Sequence, residues 1–267
     1  MIDYRLHYDG VIRIQDGQLT FIERNPSHPE WQEFEYWCAQ GNQPQPASAS
    51  GYLHAPSSRR RLYIIGAGGY GRELVEVLKG QPGYNITWEI AGFLNDIEVP
   101  PEELQGCPPI VGNTDYDPQP GDLFICGIGD PQARRKLCEK FRAKGAEFLS
   151  RIDRNILVHP TVTMGDGVNI EGFVTVGART RIGHGTSILS FSTIGHDCHI
   201  GNYVQISPSA TILGRVKIGD GVMIGAGAII LPGVTIGADA TVGAGSTVLH
   251  DVPEGVKVFG VPARRMN

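Results

Sequence analysis

From Val158 to Val248 every sixth residue is aliphatic: Val158, Met164 and Ile170 open the series, a run dominated by isoleucine follows, and Val242 and Val248 close it. Sixteen six-residue units fit without an insertion, and the fifth position of each is Val, Thr, Ser, Cys or Ala. A period of six matches neither the 3.6 residues of a helix nor the simple alternation of a strand. It predicts a solenoid of short strands and corners, with one aliphatic side chain per strand stacked on its equivalent in the next coil. Glycine follows the aliphatic residue in many units, where the corners need backbone angles closed to other residues.

Upstream the periodicity changes. The apolar run Leu62 to Ile65, the motif GAGGYG at 66–71, and Leu74, Val77 and Leu78 on one helical face read as strand, glycine-rich turn and helix. Gly66, Gly68, Gly69 and Gly71 let the backbone approach a ligand, and the helix that follows offers its first N–H groups to a phosphate. Tight packing alone also explains such a turn. Further strands are predicted at Trp88 to Leu94 and Leu123 to Ile128, then a helix capped by Asp130, begun by Pro131 and ending near Gly145. Residues 61–152 amount to about half of a dinucleotide fold, and no substrate domain with hydride-transfer residues follows, so a mononucleotide is the better ligand.

The first fifty residues carry a third pattern. DG pairs at 9–10 and 16–17 bracket VIRIQ, and QLTFIER follows, which predicts a small hairpin. A short helix begun by Pro29 then places Trp31, Phe34, Trp37 and Cys38 on one face, and QPQPASASG reads as a linker reaching to about residue 60.

Composition narrows the classes. With 267 residues, 41% hydrophobic and 19% charged, the chain has the length and balance of a soluble globular protein of more than one domain. A net charge of −5 leaves no basic field for nucleic acid. No apolar run nears the roughly 18 residues of a membrane span, and MIDYRLHYDG lacks the regions of a signal peptide, so a cytoplasmic protein without membrane attachment is expected. Five cysteines without CxxC spacing argue for reduced thiols, against a disulfide framework and against a zinc knuckle. No metal is implied.

The order GAGGYG, FLND (93–96), IGD (128–130), VHP (158–160), HDC (196–198) and VFGVPARRM (258–266) is similar to one family. It resembles the sugar O- and N-acetyltransferases of the sialic acid O-acetyltransferase and bacillosamine-pathway type, with a nucleotide-sugar domain before a hexapeptide-repeat helix. The resemblance spans 61–267 and implies an α/β Rossmann-like half-domain (61–152), then a left-handed parallel β-helix (153–267), behind a small N-terminal α+β extension (1–50). It implies acetyl-CoA as co-substrate and a UDP- or GDP-linked amino sugar as acceptor.

By that resemblance His196 is the general base, and Asp197 the acidic neighbour that raises its basicity. The chemistry suits an acetyl transfer by direct attack: the amine loses a proton as it adds to the thioester, and a carboxylate stabilises the imidazolium that forms. Cys198 takes the small inward position of its unit and reads as packing. His184 has the same offset 12 residues earlier, hence on another face. His159, His199 and His250 read as surface or corner residues. Gly214 follows His196 by 18 residues, one coil on, about 4.8 Å by strand spacing, with an N–H suited to an oxyanion.

The resemblance puts further coenzyme A contacts at Gln205, Ala226 and Ala244; Gln205 stands where close relatives carry His. It puts nucleotide-sugar contacts at Gly68, Gly69, Tyr70, Asn95, Asp96 and Gly129; Asn95 stands where some relatives carry an acid. Leu213, Leu231 and Leu249 share the 18-residue register and either flank the pantetheine arm or pack one edge. Arg264 and Arg265 either meet coenzyme phosphates or solvate the C-terminal segment. The resemblance implies a homotrimer with the coenzyme between adjacent prisms, and since a convex prism face encloses no long thioester alone, a neighbouring subunit is expected to supply the second wall.

Two other readings stand beside this one. The acceptor of the second is a hydroxyl of sialic acid or another surface sugar. The third is not an enzyme: the helix and GNQPQPA segment is similar to short stretches of phage tail-associated proteins, which suggests a virion or surface glycan-binding module whose extension docks a partner.

Overall fold

The computed structural model describes residues 2–7, 10–15, 18–23, 29–40, 42, 59–81, 83–85 and 87–266. They fall into two compact units, divided between Ser57 and Ser58. In the first, β1 (Ile2–His7), β2 (Gly10–Gln15) and β3 (Gln18–Glu23) form an antiparallel meander, so the expected hairpin gains a strand. Helix α1 (Pro29–Ala39) buries Trp31 and Phe34 with Ile22, and Trp37 and Cys38 pack beside them. Arg13 of β2 donates to Glu33 and Glu30 of α1 at 2.9 Å each. The segment QPQPASASG, expected as a linker, lies outside the described residues.

The second unit begins with a five-stranded parallel sheet. Its strands are β4 (Arg60–Ile65), β5 (Trp88–Leu94), β6 (Ile110–Gly112), β7 (Leu123–Cys126) and β8 (Glu147–Phe148), in the order β6-β5-β4-β7-β8. Helices α2 (Gly69–Lys79) and α3 (Pro131–Ala143) follow β4 and β7. These are the two strands where the order turns from one direction to the other, so the loops after them share the crevice at the sheet's carboxyl edge. Asp130 caps α3, its Oδ1 accepting from the Ala133 N–H at 2.8 Å, with Pro131 next.

Two details differ from expectation. α2 buries Leu74, Val75 and Leu78, while Val77 is half-buried, because the face laid on a sheet is wider than one stripe. β7 stops at Cys126 and not Ile128, since Gly127 must approach α2: a methyl there would sit 2.5 Å from the Gly71 Cα.

Beyond β9 (Arg151–Ile152) the sixteen units become sixteen two-residue strands, from β10 (Leu157–Val158) to β25 (Thr247–Val248), capped by β26 (Lys257–Phe259) and β27 (Arg264–Arg265). Each strand pairs in parallel with the one 18 residues on, giving the three sides of a left-handed prism. The repeating aliphatics are inward and almost wholly buried from Ile170 on, together with the small fifth-position residues.

The outward residues distinguish the sides. One side, Leu157, Thr175, Thr193, Thr211, Ile229 and Thr247, carries no charge. The next, Thr163, Arg181, His199, Lys217 and Thr235, is basic. The third, running through Asn169, Ser187, Gln205 and Met223, receives the α/β half-domain.

That docking sets Tyr203 of the prism among Phe124, Phe141 and Phe148 and adds specific polar contacts. Arg134 of α3, 1% exposed, donates to Gln205 Oε1 and the Val204 carbonyl at 2.9 Å, and to the Ile128 carbonyl at 3.0 Å. Asn169 donates to the Tyr70 hydroxyl, and Gln132 to Asp239 Oδ1 at 2.7 Å. Both Nη groups of this buried guanidinium are paired, across the seam and to its own loop, while Nε has no partner among the described residues, so displacing Arg134 would strand a buried charge and the contact fixes the orientation of the two halves.

Because each inward isoleucine is packed by coils above and below, truncating one leaves a cavity. Ile206→Ala is expected to lower unfolding free energy by about 2–5 kcal/mol in urea titration, against less than about 0.5 kcal/mol for outward Lys217→Ala.

Candidate active site

The glycines after β4 divide by their surroundings. A methyl on Gly66, at φ +95°, would sit 2.4 Å from Ile128 Cδ1, and one on Gly71 2.0 Å from the Gly66 carbonyl oxygen. Packing therefore accounts for Gly66 and Gly71. It does not account for Gly68 and Gly69, which have nothing within 4 Å on that side. Gly68 begins α2 without a side-chain cap, so the first-turn N–H groups lack the acceptors a capped helix would give them.

Around this loop stand the other residues expected to meet a nucleotide sugar. Asn95 braces it, its Oδ1 accepting from the Ala67 N–H at 3.1 Å. Asp96 accepts from the Thr114 hydroxyl at 2.6 Å and N–H at 2.8 Å, and these bonds hold its carboxyl below the usual carboxylate range. Gly129, past β7, is open in the manner of Gly68. Tyr70 turns onto the prism toward Asn169; burial, then the charge of Glu171, pushes its phenol up to about 12, so it stays protonated.

His196 lies on a different part of the molecule. It follows β16 (Thr193–Ile194), on the edge between the uncharged and basic sides. Its Nδ1 is 2.6 Å from Asp197 Oδ2, which leaves Nε2 as the nitrogen free to take a proton. The imidazole lies over Gly214 on the next coil: a methyl there would be 2.7 Å from Nε2. At the same corner position on the next edge, the His184 N–H donates to Asn202 Oδ1 and the Asn202 N–H to Asp220 Oδ1. Gly214 is followed one coil on by Pro232, which has no side-chain acceptor, and its N–H has no partner among the described residues. The imidazole and an unpartnered donor are thus adjacent.

Asp197 has a second partner that spacing alone could have disclosed. Arg179, 18 residues upstream, grips its carboxylate with Nε at 2.6 Å and Nη2 at 2.9 Å. Arg179 first and His196 second hold that carboxyl well below the usual range, so it is ionised at any pH the enzyme meets. Cys198 is 2% exposed, its sulfur 3.2 Å from the Leu213 carbonyl, and burial pushes the thiol up. It packs.

Of the residues expected to meet coenzyme A, Gly214 adjoins His196, whereas Gln205, Ala226 and Ala244 lie elsewhere on the same chain. Ala226 and Ala244 are exposed on the edge between the docked and uncharged sides, and Gln205 is buried under Arg134. Leu231 packs against the core, Leu249 is 39% exposed, and Arg264 and Arg265 are exposed on β27. His184 contacts Asp166 beside Arg142, His159 contacts Thr161, and His199 and His250 are exposed.

Comparison with known proteins places this arrangement. The profile of the PglD N-terminal domain matches residues 61–141, and that of the bacterial transferase hexapeptide (six repeats) matches 179–214 and 215–250. PerB from Caulobacter crescentus, solved with CoA and GDP-perosamine, is 30% identical, with a TM-score of 0.69 over 79% of this chain and 99% of PerB. The chain belongs to the PglD-type sugar acetyltransferases. The acetyltransferase domain of PglB from Neisseria gonorrhoeae, solved with acetyl coenzyme A, is 29% identical, with a TM-score of 0.68 over 78% of this chain and 100% of that domain. WeeI from Acinetobacter baumannii is 27% identical, with a TM-score of 0.67 over 77% of this chain and 99% of its own. No curated protein sequence matches.

In a PglD-type acetyltransferase with this corner, the glycine under the imidazole leaves no room for a side chain. Gly214→Ala is expected to displace the His196 ring, visible as altered imidazole NMR shifts, and to slow acetyl transfer at least about tenfold.

Proposed function

We propose that this acetyl-CoA-dependent sugar acetyltransferase transfers acetyl to the amino group of a nucleotide-linked amino sugar by direct attack, with His196 as general base. The observation that carries the reading is the contact of His196 Nε2 with Gly214, whose N–H is unclaimed. As the amine adds to the thioester carbonyl, a C–N bond forms and the carbonyl electron pair moves onto oxygen, where the Gly214 N–H holds it. His196 Nε2 takes the ammonium proton, Asp197 stabilises the imidazolium, and cleavage of the C–S bond returns the proton to the leaving thiolate. No acyl-enzyme forms. A nitrogen acceptor is favoured because PerB is a perosamine N-acetyltransferase. Open Gly68, Gly69 and Gly129 receive the diphosphate, with Tyr70, Asn95 and Asp96 shaping the rim.

The working enzyme is a homotrimer with its sites between protomers. The nucleotide domain, residues 61–152, docks on one side of the prism, whereas His196 occupies the edge opposite that side. A sugar held by the loop therefore reaches the imidazole of a neighbour more readily than its own. Ala226 and Ala244, with the uncharged side between them and His196, fit the same arrangement as coenzyme contacts of the adjoining subunit. At the far end of their edge, Phe173 and Phe191 stack at 5.1 Å with a 3° tilt while 60% and 62% exposed. Two such rings beside an uncharged face suit burial against another copy.

Mass spectrometry with acetyl-CoA should find product from a UDP- or GDP-linked amino sugar, none from free sialic acid, and none with His196→Ala; acetylated sialic acid instead would move the assignment to an O-acetyltransferase. Sedimentation should give three chains per particle, and Phe173→Glu with Phe191→Glu should dissociate it. Co-expressed His196→Ala and Gly69→Asp chains, each inactive alone, should regain activity in mixed trimers; a site within one chain would give none.

A further inference from the structure

Asp197 faces two partners, the His196 ring and the Arg179 guanidinium, and the second is outside the acetyl-transfer scheme. The three groups form a chain across two coils: the guanidinium of Arg179 takes both carboxylate oxygens, and Oδ2 is shared with His196 Nδ1. We propose that Arg179 is a positioning residue for the acetyl-transfer base, locking the Asp197 carboxylate in the plane that orients the imidazole and withdrawing part of its charge. The inference rests on His196 being the base.

Two physical reasons support it. A forked guanidinium on a carboxylate leaves that group one orientation, whereas an exposed aspartate next to a histidine has several. Here Asp197 is itself a non-glycine residue at φ +58°, as is Arg179 at φ +58°, so the stacked corners aim both side chains along the same edge. The Arg179 N–H is in turn fixed to Thr161 Oγ1 at 2.8 Å on the preceding coil. Fixing Nδ1–H toward Asp197 keeps the lone pair on Nε2 above Gly214.

The electrostatic part has a definite sign. A free carboxylate beside an imidazole favours the charged ring and so delays its use as a base to higher pH. Sharing the carboxylate with Arg179 moderates that attraction. The charged and titratable groups around His196 are Asp197 and Arg179, the buried Cys198 thiol against the His196 carbonyl, exposed Arg215 on the next coil, and Arg181, His199 and Lys217 on the adjoining basic side. Burial pushes that thiol up, so Asp197 is the sole carboxylate in this set, and Arg179 is the one cation of the set bonded to it.

The test is the pH dependence of kcat/KM for acetyl transfer. Arg179→Met is expected to move the acidic limb upward by roughly 0.5 to 1 pH unit and to lower kcat at the plateau several-fold with little change in KM for acetyl-CoA. Arg179→Lys, which keeps the charge and loses the fork, should leave the limb near its original position while kcat still falls. Asp197→Asn should move the limb the other way. An Arg179→Met profile superimposable on the parent overturns the proposal, as does a uniform loss of rate with an unmoved limb, which marks a merely structural role. If His196→Ala keeps full activity, the general-base reading itself fails; an inactive His196→Ala beside an unmoved Arg179→Met limb sinks the positioning role alone.

Discussion

Eighteen residues per coil is the constraint on which the rest of the enzyme depends. The inward aliphatics set it: each is stacked on equivalents one coil away, and a slip of one residue would turn the core outward. Burying such a side chain is worth about 1.5–3 kcal/mol. Holding a non-glycine residue in the left-handed region costs of order 1–3 kcal/mol, and the prism does so at several corners, Asp197 and Phe191 among them. Each coil buries three aliphatics and three smaller inward residues, so the core outweighs the strain. Distance in sequence becomes distance in space, and residues 18 apart touch.

That rule explains what was legible. The six-residue pattern disclosed every strand from β10 to β25, and GAGGYG with Asp130-Pro131 disclosed the turn and cap of the α/β half-domain. His196 over Gly214 followed from arithmetic once the coil length was known. The Arg179 contact with Asp197 obeys the same arithmetic, yet an arginine at a corner carries no local signal, and only a partner 18 residues away gives it meaning. Gln205 is the opposite case. Its partner is Arg134 on a helix 71 positions upstream, and no periodicity joins a helix to a prism face. Likewise β6 and β8 are too short and too dependent on neighbouring strands to show in the pattern.

The two halves divide the work by side of the prism. The docked side spends its polar groups on orientation: Asn169 with Tyr70, Gln205 with Arg134, and at its border Asp239 with Gln132. The opposite edge holds the imidazole and leaves the Gly214 N–H without a partner among the described residues. In the proposed reaction a rigid seam matters, because an acceptor amine whose nucleotide is held by one half must meet an acyl group held elsewhere to within a fraction of an ångström. Arg134, 1% exposed and bonded to Gln205 and the Val204 carbonyl, ties the two halves at that seam.

The segregation of inward from corner positions has a consequence for how such enzymes diversify. Stability resides in residues that never meet a ligand, while the groups that meet one sit at corners contributing little to the core. A lineage can therefore exchange corner letters, as where arginine, aspartate, proline and glycine alternate along a single edge, and explore new acceptors without eroding the scaffold that carries them.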